Sequence, residues 1–176
     1  MMPVTRRDAL VLGGGLAAAA TLRAQPALAA ATDAAALSAL VAYQQQVVLE
    51  YHVTLRDAPL GGRDREVLEP FRRDAEQAAG ALRKALENAG GEPVAAPDPA
   101  AAPPPADPSR RGYLHALIAA EEAAVGGYYT SLQAMHDKRH LGGSAAFMAQ
   151  AGRRLVVLRR LAGRPLVPRA FETGGA

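Results

Sequence analysis

The chain carries one helical pattern twice. Between residues 37 and 55, apolar side chains recur at the three- and four-residue spacing of a single helix face. The same pattern returns, position by position, between residues 114 and 132. Two further stretches, residues 71–82 and residues 147–158, agree with each other in the same way. Because an amphipathic helix must bury its apolar face against another element, the repeat predicts an all-α fold built from two helical hairpins.

Glycine and proline clusters mark the ends of the predicted helices. A Pro-Leu-Gly-Gly sequence follows the first helix, Gly90-Gly91 ends the second, and Gly142-Gly143 separates the third from the fourth. The predicted helices span about 33–56, 64–89, 109–137 and 143–162. Together they predict one four-helix bundle over residues 30–163, followed by an extended C-terminal tail over residues 164–176.

A proline-rich segment joins the second and third predicted helices. Residues 92–108 hold seven of the thirteen prolines, a composition that favours extended polyproline-like chain. At about 3.1 Å per residue, such a segment can run the whole length of a helix that rises about 1.5 Å per residue. We therefore expect residues 91–108 to form a long crossover, so that the second and third helices run in the same direction.

Residues 1–29 have the pattern of an export signal. The stretch from Thr5 to Leu10, with its pair Arg6 and Arg7, resembles the twin-arginine export motif. A weakly apolar stretch follows, and Ala27-Leu28-Ala29 has the small-x-small pattern of a cleavage site. The resemblance implies a protein that is exported to the periplasm or beyond and meets the membrane only transiently. An uncut helical anchor is the competing interpretation of the same segment.

Charge and composition exclude several classes of protein. The whole chain has 20 basic and 17 acidic residues, and removing residues 1–29 takes away three arginines and one aspartate, which leaves 17 against 16. A nearly neutral domain with interleaved charges is not typical of a nucleic-acid-binding protein. The chain contains no cysteine, which excludes disulfides, thiolate metal sites and a cysteine nucleophile.

Both long apolar faces are interrupted by a polar residue at the same point, Gln44 in the first helix and Glu121 in the third. An unpaired buried polar group costs about 1–3 kcal/mol, so each needs a partner. With the expected topology, this pattern resembles the ferritin-like proteins, in particular the exported, alanine-rich ferritin-like domains of bacteria. In that family the first and third helices each contribute a Glu, and the second and fourth a Glu-x-x-His, to a di-iron or di-manganese centre.

The resemblance implies six bundle-centre positions in this chain. They are Gln44, Asp74, Gln77, Glu121, Gln150 and Arg153. Only Asp74 and Glu121 are carboxylates and none is His, which is too few anionic ligands for a pair of hard divalent cations. We expect a polar network in place of the metal centre, with Gln150 as a bridge and Arg153 neutralising Glu121 or Asp74. No catalytic residue and no cofactor is predicted.

The histidines give the one other candidate for metal chemistry. His136 and His140 are four residues apart, a spacing that can hold a transition metal on one helix face. A solvated helix end is the competing interpretation, because Lys138 and Arg139 lie between them. The alternative to a metal-free domain is thus an exported protein that binds or oxidises iron or manganese through a non-standard set, Asp74, Glu121, His136 and His140.

The sequence also lacks the common enzyme motifs. It has no Gly-rich nucleotide loop after a strand, no Walker loop and no Gly-x-Ser-x-Gly elbow in the predicted domain, which disfavours an enzyme. We therefore expect a non-catalytic binding or interaction module whose partner is a protein or a small molecule. A homo-oligomer is a further possibility, because the arginines of the fourth helix could contact another subunit.

Overall fold

The described part of the chain folds into four α-helices joined by connecting segments, and that part contains no strand. The computed structural model describes the backbone of residues 6–166 and the side chains of residues 29–166. The helices are α1 (Arg6–Asp57), α2 (Gly62–Asn88), α3 (Arg110–Ala134) and α4 (Lys138–Leu161). This confirms the all-α class and the four helices. None of the described helices is both long enough and apolar enough to cross a membrane.

The predicted export signal and most of the predicted C-terminal tail stay predictions. Side chains of the signal segment, Arg6 and Arg7 among them, lie outside the described residues, and so do residues 167–176. From residue 33 onward, α1 buries the apolar face on which the sequence repeat was found.

The helix pairs that pack together define the bundle. Helix α1 packs closely against both α2 and α3, α3 packs against α4, and α2 touches α4 more loosely. Helices α3 and α4 run antiparallel, since Arg110 at the start of α3 donates a hydrogen bond to the carbonyl of Leu161 at the end of α4. Residues from all four helices contribute to one core. Its fully buried members include Leu37, Leu40, Leu68, Leu82, Leu114, Leu117, Ile118 and Leu158.

The turn between α3 and α4 lies earlier in the chain than the glycine pair suggested. Helix α3 ends at Ala134, and α4 begins at Lys138 with Asp137 as its N-cap, accepting from the Arg139 N–H at 2.8 Å. The carboxylate of Asp33, far away in sequence, accepts from the backbone N–H groups of His136 and Asp137 at 2.7 and 2.8 Å. These bonds hold the turn at residues 135–137, so the expected helix end at 137 and helix start at 143 were wrong.

The segment between α2 and α3 contains turns but neither helix nor strand. Helix α2 ends at Asn88, and Gly90, just after the C-cap Ala89, has a φ of 74° in the left-handed region that favours glycine. Further on, Gln45 of α1 donates to the carbonyl of Val94 at 3.0 Å, and Arg56 near the end of α1 donates to the carbonyl of Pro99. The proline-rich segment therefore lies against α1 and advances in the same direction as that helix.

Two adjacent glycines in α3 give a matched stability test. A Cβ on Gly126 would meet open space, whereas a Cβ on Gly127 would lie 2.4 Å from the Tyr43 ring. Since glycine inside a helix costs about 0.5–1 kcal/mol relative to alanine, we expect Gly126→Ala to raise the free energy of unfolding by about that amount. Gly127→Ala should give no gain, because the Tyr43 ring must move. Urea denaturation measures both, and an equal gain in the two variants would contradict this packing.

Candidate functional site

Five polar side chains meet in the middle of the bundle, and we call them the polar centre: Gln44, Tyr51, Glu121, Tyr128 and Arg154. Each is buried, the most exposed being Arg154 at 4%. Polar and charged groups are rarely buried this deeply without partners, because losing water costs several kcal/mol for an ion. The partners are therefore supplied from within the bundle.

The two repeats of the chain bond to each other in the polar centre. The hydroxyl of Tyr51 donates to Glu121 Oε1 at 2.9 Å, and the hydroxyl of Tyr128 donates to Gln44 Oε1 at 3.0 Å. Gln44 and Glu121 are equivalent positions of the repeat, and so are the two tyrosines. Each repeat thus supplies the tyrosine that satisfies the polar residue of the other. The pairing also shows that α1 and α3 run antiparallel.

Arg154 on α4 forms an ion pair with Glu121 through two hydrogen bonds. Its Nε lies 2.6 Å from Oε1, and its Nη2 lies 3.0 Å from Oε2. This bidentate geometry is the strongest that an arginine and a carboxylate adopt. The sequence prediction that Arg153 neutralises Glu121 was wrong by one residue, since Arg153 is exposed. Adjacent residues of a helix project about 100° apart, so only one of the two arginines can face the centre.

The repeat is broken at the position that matches Arg154. When the fourth helix is aligned with the second, Arg154 corresponds to Ala78, which is 2% exposed. On that side the neutral Gln44 replaces Glu121, and its Nε2 donates to the carbonyl of Ala75 in α2 at 3.2 Å. The half with a carboxylate therefore has an arginine, and the half with an amide has an alanine and uses a backbone acceptor.

Burial fixes the protonation states in the polar centre. It raises the pKa of Tyr51 well above the ordinary tyrosine value, and the charge of Glu121 raises it further. Burial likewise raises the pKa of Tyr128. Burial alone would lower the pKa of Arg154, but hydrogen bonds and Coulomb attraction from Glu121 outweigh it and raise that pKa above its usual value. Both tyrosines consequently remain neutral donors, and Arg154 remains a cation.

The remaining predicted residues line an open cleft between α2 and α4, next to the polar centre. The cleft has a volume of about 360 Å³. Its polar lining consists of Asp74, Gln77, Gln150, Arg153 and Arg154. Asp74, Gln77 and Arg153 are exposed and Gln150 is half-buried. The structure thus divides the predicted network in two, with Gln44 and Glu121 in the polar centre and the other four in the cleft. Arg154 belongs to both.

The donor set does not fit a di-metal centre. Both Glu121 oxygens are held by Arg154, and the Gln44 oxygen accepts from Tyr128. A guanidinium lies against the carboxylate that a cation would need. Among the described residues, no group of three or more His, Asp and Glu side chains is placed to hold a metal.

The histidine pair does not share a helix face. His136 lies exposed in the turn before α4, with its Nδ1 3.5 Å from an Asp33 oxygen, whereas His140 lies in the first turn of α4. Of the two interpretations of this pair, the i, i+4 arrangement on one helix face was therefore wrong. The cause is the same Asp33 contact that sets the turn. Elsewhere, His52 on α1 forms a hydrogen bond with Glu76 on α2 at 2.9 Å.

The sequence prediction did not assign roles to Tyr51, Tyr128 or Arg154. The two tyrosines stood out as equivalent residues of the repeat, and a buried hydroxyl needs a partner. Their pairing with Gln44 and Glu121 could therefore have been predicted from the sequence. Arg154 carries a weaker signal. It is one of four arginines near the end of α4, and the sequence pattern alone does not show which of them faces inward.

Comparison of the chain with protein-family models gives no match, and comparison with curated proteins gives none either.

Substitutions in the ion pair test whether the two charges depend on each other. Arg154→Met leaves Glu121 buried with Tyr51 as its one side-chain donor among the described residues, so we expect the free energy of unfolding to fall by about 3–5 kcal/mol. In the double variant Glu121→Gln/Arg154→Met the amide still accepts from Tyr51, much as Gln44 accepts from Tyr128. We expect the double variant to be more stable than Arg154→Met alone, as measured by urea denaturation.

Glu121→Leu is the matched control for this pair. It removes the acceptor of Tyr51 and leaves Arg154 unpaired, so it should destabilise the bundle more than Glu121→Gln does. Losses that simply add in the double variant would show that the two charges act independently, against the interpretation given above.

Proposed function

We propose that the protein is a ferritin-like bundle without a metal centre, exported by the twin-arginine route to the periplasm or beyond, where it acts as a non-catalytic binding or interaction module. Its topology supports the ferritin-like assignment. Helices α2 and α3 each pack against α1, and the proline-rich segment between them lies along α1. This arrangement is what a one-crossover bundle requires, with a helical hairpin on either side of the long connection.

One observation carries the metal-free part of the proposal, the bidentate pair of Arg154 and Glu121. Glu121 is the one carboxylate in the polar centre. The guanidinium of Arg154 supplies the positive charge that a metal ion would otherwise supply. Because it is a side chain of the protein, this charge is a permanent part of the fold. Such a centre needs no cofactor in order to fold.

The polar lining of the adjacent cleft supports binding there. Asp74, Gln77, Gln150 and Arg153 line the cleft and form no side-chain hydrogen bond or ion pair with the other described residues. They combine one anion, one cation and two amides with the apolar surface of Phe71 and Val157. A preformed cleft that mixes polar groups with apolar surface is typical of a small-molecule or peptide site. Without a nucleophile or a paired acid and base there, binding is a better supported role than catalysis.

Metal analysis of the purified protein tests the proposal. The full chain is produced in medium rich in iron and manganese, dialysed and measured by inductively coupled plasma mass spectrometry. We expect far less than one ion per chain, and the same content in Glu121→Gln. One or two ions per chain that disappear in Glu121→Gln would overturn the proposal and favour an iron or manganese protein.

A further inference from the structure

A second cavity lies on another side of α2, beneath the proline-rich segment, and we call it the strap pocket. It has a volume of about 220 Å³ and lies between α1, α2 and residues 96–99. Val48 and Leu49 from α1 and Ala79 from α2 provide apolar surface, and Pro97 and Pro99 form the opposite wall. It shares no residue with the polar centre or with the cleft between α2 and α4.

The wall of the strap pocket is fixed on both sides. Gln45 is 7% exposed and donates to the carbonyl of Val94, ahead of the wall, while Arg56 donates to the carbonyl of Pro99 at its far end. Proline also restricts the backbone of the wall, because its ring locks φ. A wall that is already ordered adds little entropy cost when a ligand binds.

One cation in the lining of the strap pocket, Arg83, is available to a ligand. Glu76 is already satisfied, since it accepts from Arg72 Nη1 at 2.5 Å and forms a hydrogen bond with His52 Nε2 at 2.9 Å. Arg83, about two turns further along α2, also lines the pocket and is exposed. It forms no ion pair within the described residues. Arg72 is shared between Glu69 and Glu76, and Glu76 also bonds to His52, so within the described residues Arg83 is the charged group of the lining that has no ion-pair partner.

We propose that the strap pocket binds a small apolar monocarboxylate. The apolar body lies against Val48, Leu49 and Ala79 under the two prolines, and the carboxylate is bound by Arg83. One cation without an ion-pair partner, beside a mostly apolar surface, matches one negative charge on a hydrocarbon body. It matches neither a polyphosphate nor a sugar, which need several polar partners each.

Titration of the full chain with three probes tests the proposal, using isothermal titration calorimetry or saturation-transfer NMR. Octanoate has both the body and the charge, octanol has the body alone, and acetate has the charge alone. We expect octanoate to bind more tightly than either of the other two. Equal binding of octanol and octanoate, or no binding of octanoate, would overturn the proposal.

Variants at exposed residues locate the binding site without disturbing the core. Arg83→Met keeps the apolar stem and removes the charge, so we expect octanoate binding to weaken at least tenfold, because the carboxylate loses its charge-assisted hydrogen bonds. Ala96→Trp should block the pocket. Lys84→Met is the matched control, because Lys84 is an exposed cation next to Arg83 that does not line the pocket.

The octanoate affinities of these variants decide whether octanoate binds in the strap pocket. Unchanged octanoate affinity in Arg83→Met and Ala96→Trp, with thermal unfolding like that of the parent chain, would contradict the proposal. The test is independent of the metal analysis, since Glu121 and Arg154 take no part in the strap pocket. Octanoate binding and metal content can therefore succeed or fail separately.

Discussion

The bundle depends on one buried ion pair, between Glu121 of α3 and Arg154 of α4. Moving two such charges out of water costs several kcal/mol per ion, and only close, bidentate geometry offsets that cost. The same carboxylate accepts from Tyr51 of α1, and the neighbouring Gln44 links α1 to the backbone of α2. Hydrogen bonds of the polar centre thereby reach all four helices. The apolar core could tolerate small rotations of a helix, but these bonds define one register.

The two repeats solve the same problem with different chemistry. Each places a polar residue in the middle of an apolar face and takes a tyrosine hydroxyl from the other repeat as its donor. Where that residue is the charged Glu121, the opposing helix provides Arg154; where it is the neutral Gln44, the corresponding residue is Ala78. Between the two repeats, a charged residue on one helix is thus matched by a charged residue on the helix beside it, and a neutral residue by a neutral one. This is what the cost of burying a lone ion requires.

The sequence allowed prediction of the helices and of two of the five residues of the polar centre, and particular residues show why. Gln44 and Glu121 were found because a polar residue stands out in an otherwise apolar face. Arg154 was missed because the rotation of α4 about its axis decides which arginine faces inward, and the packing of the whole bundle sets that rotation. The turn before α4 was misplaced because the contact that fixes it comes from Asp33, which lies 103 residues before His136 in the chain. The strap pocket could not be predicted, because its position depends on the path of the proline-rich segment over α1, and amino-acid composition does not determine that path.

The most direct test of the central claim is a crystal structure of the full chain grown in the presence of manganese, with anomalous diffraction data. The account predicts no anomalous peak beside Glu121 and a guanidinium of Arg154 that spans both carboxylate oxygens. A manganese peak at a coordinating distance of roughly 2.0–2.6 Å from Glu121, with Arg154 turned away, would contradict it.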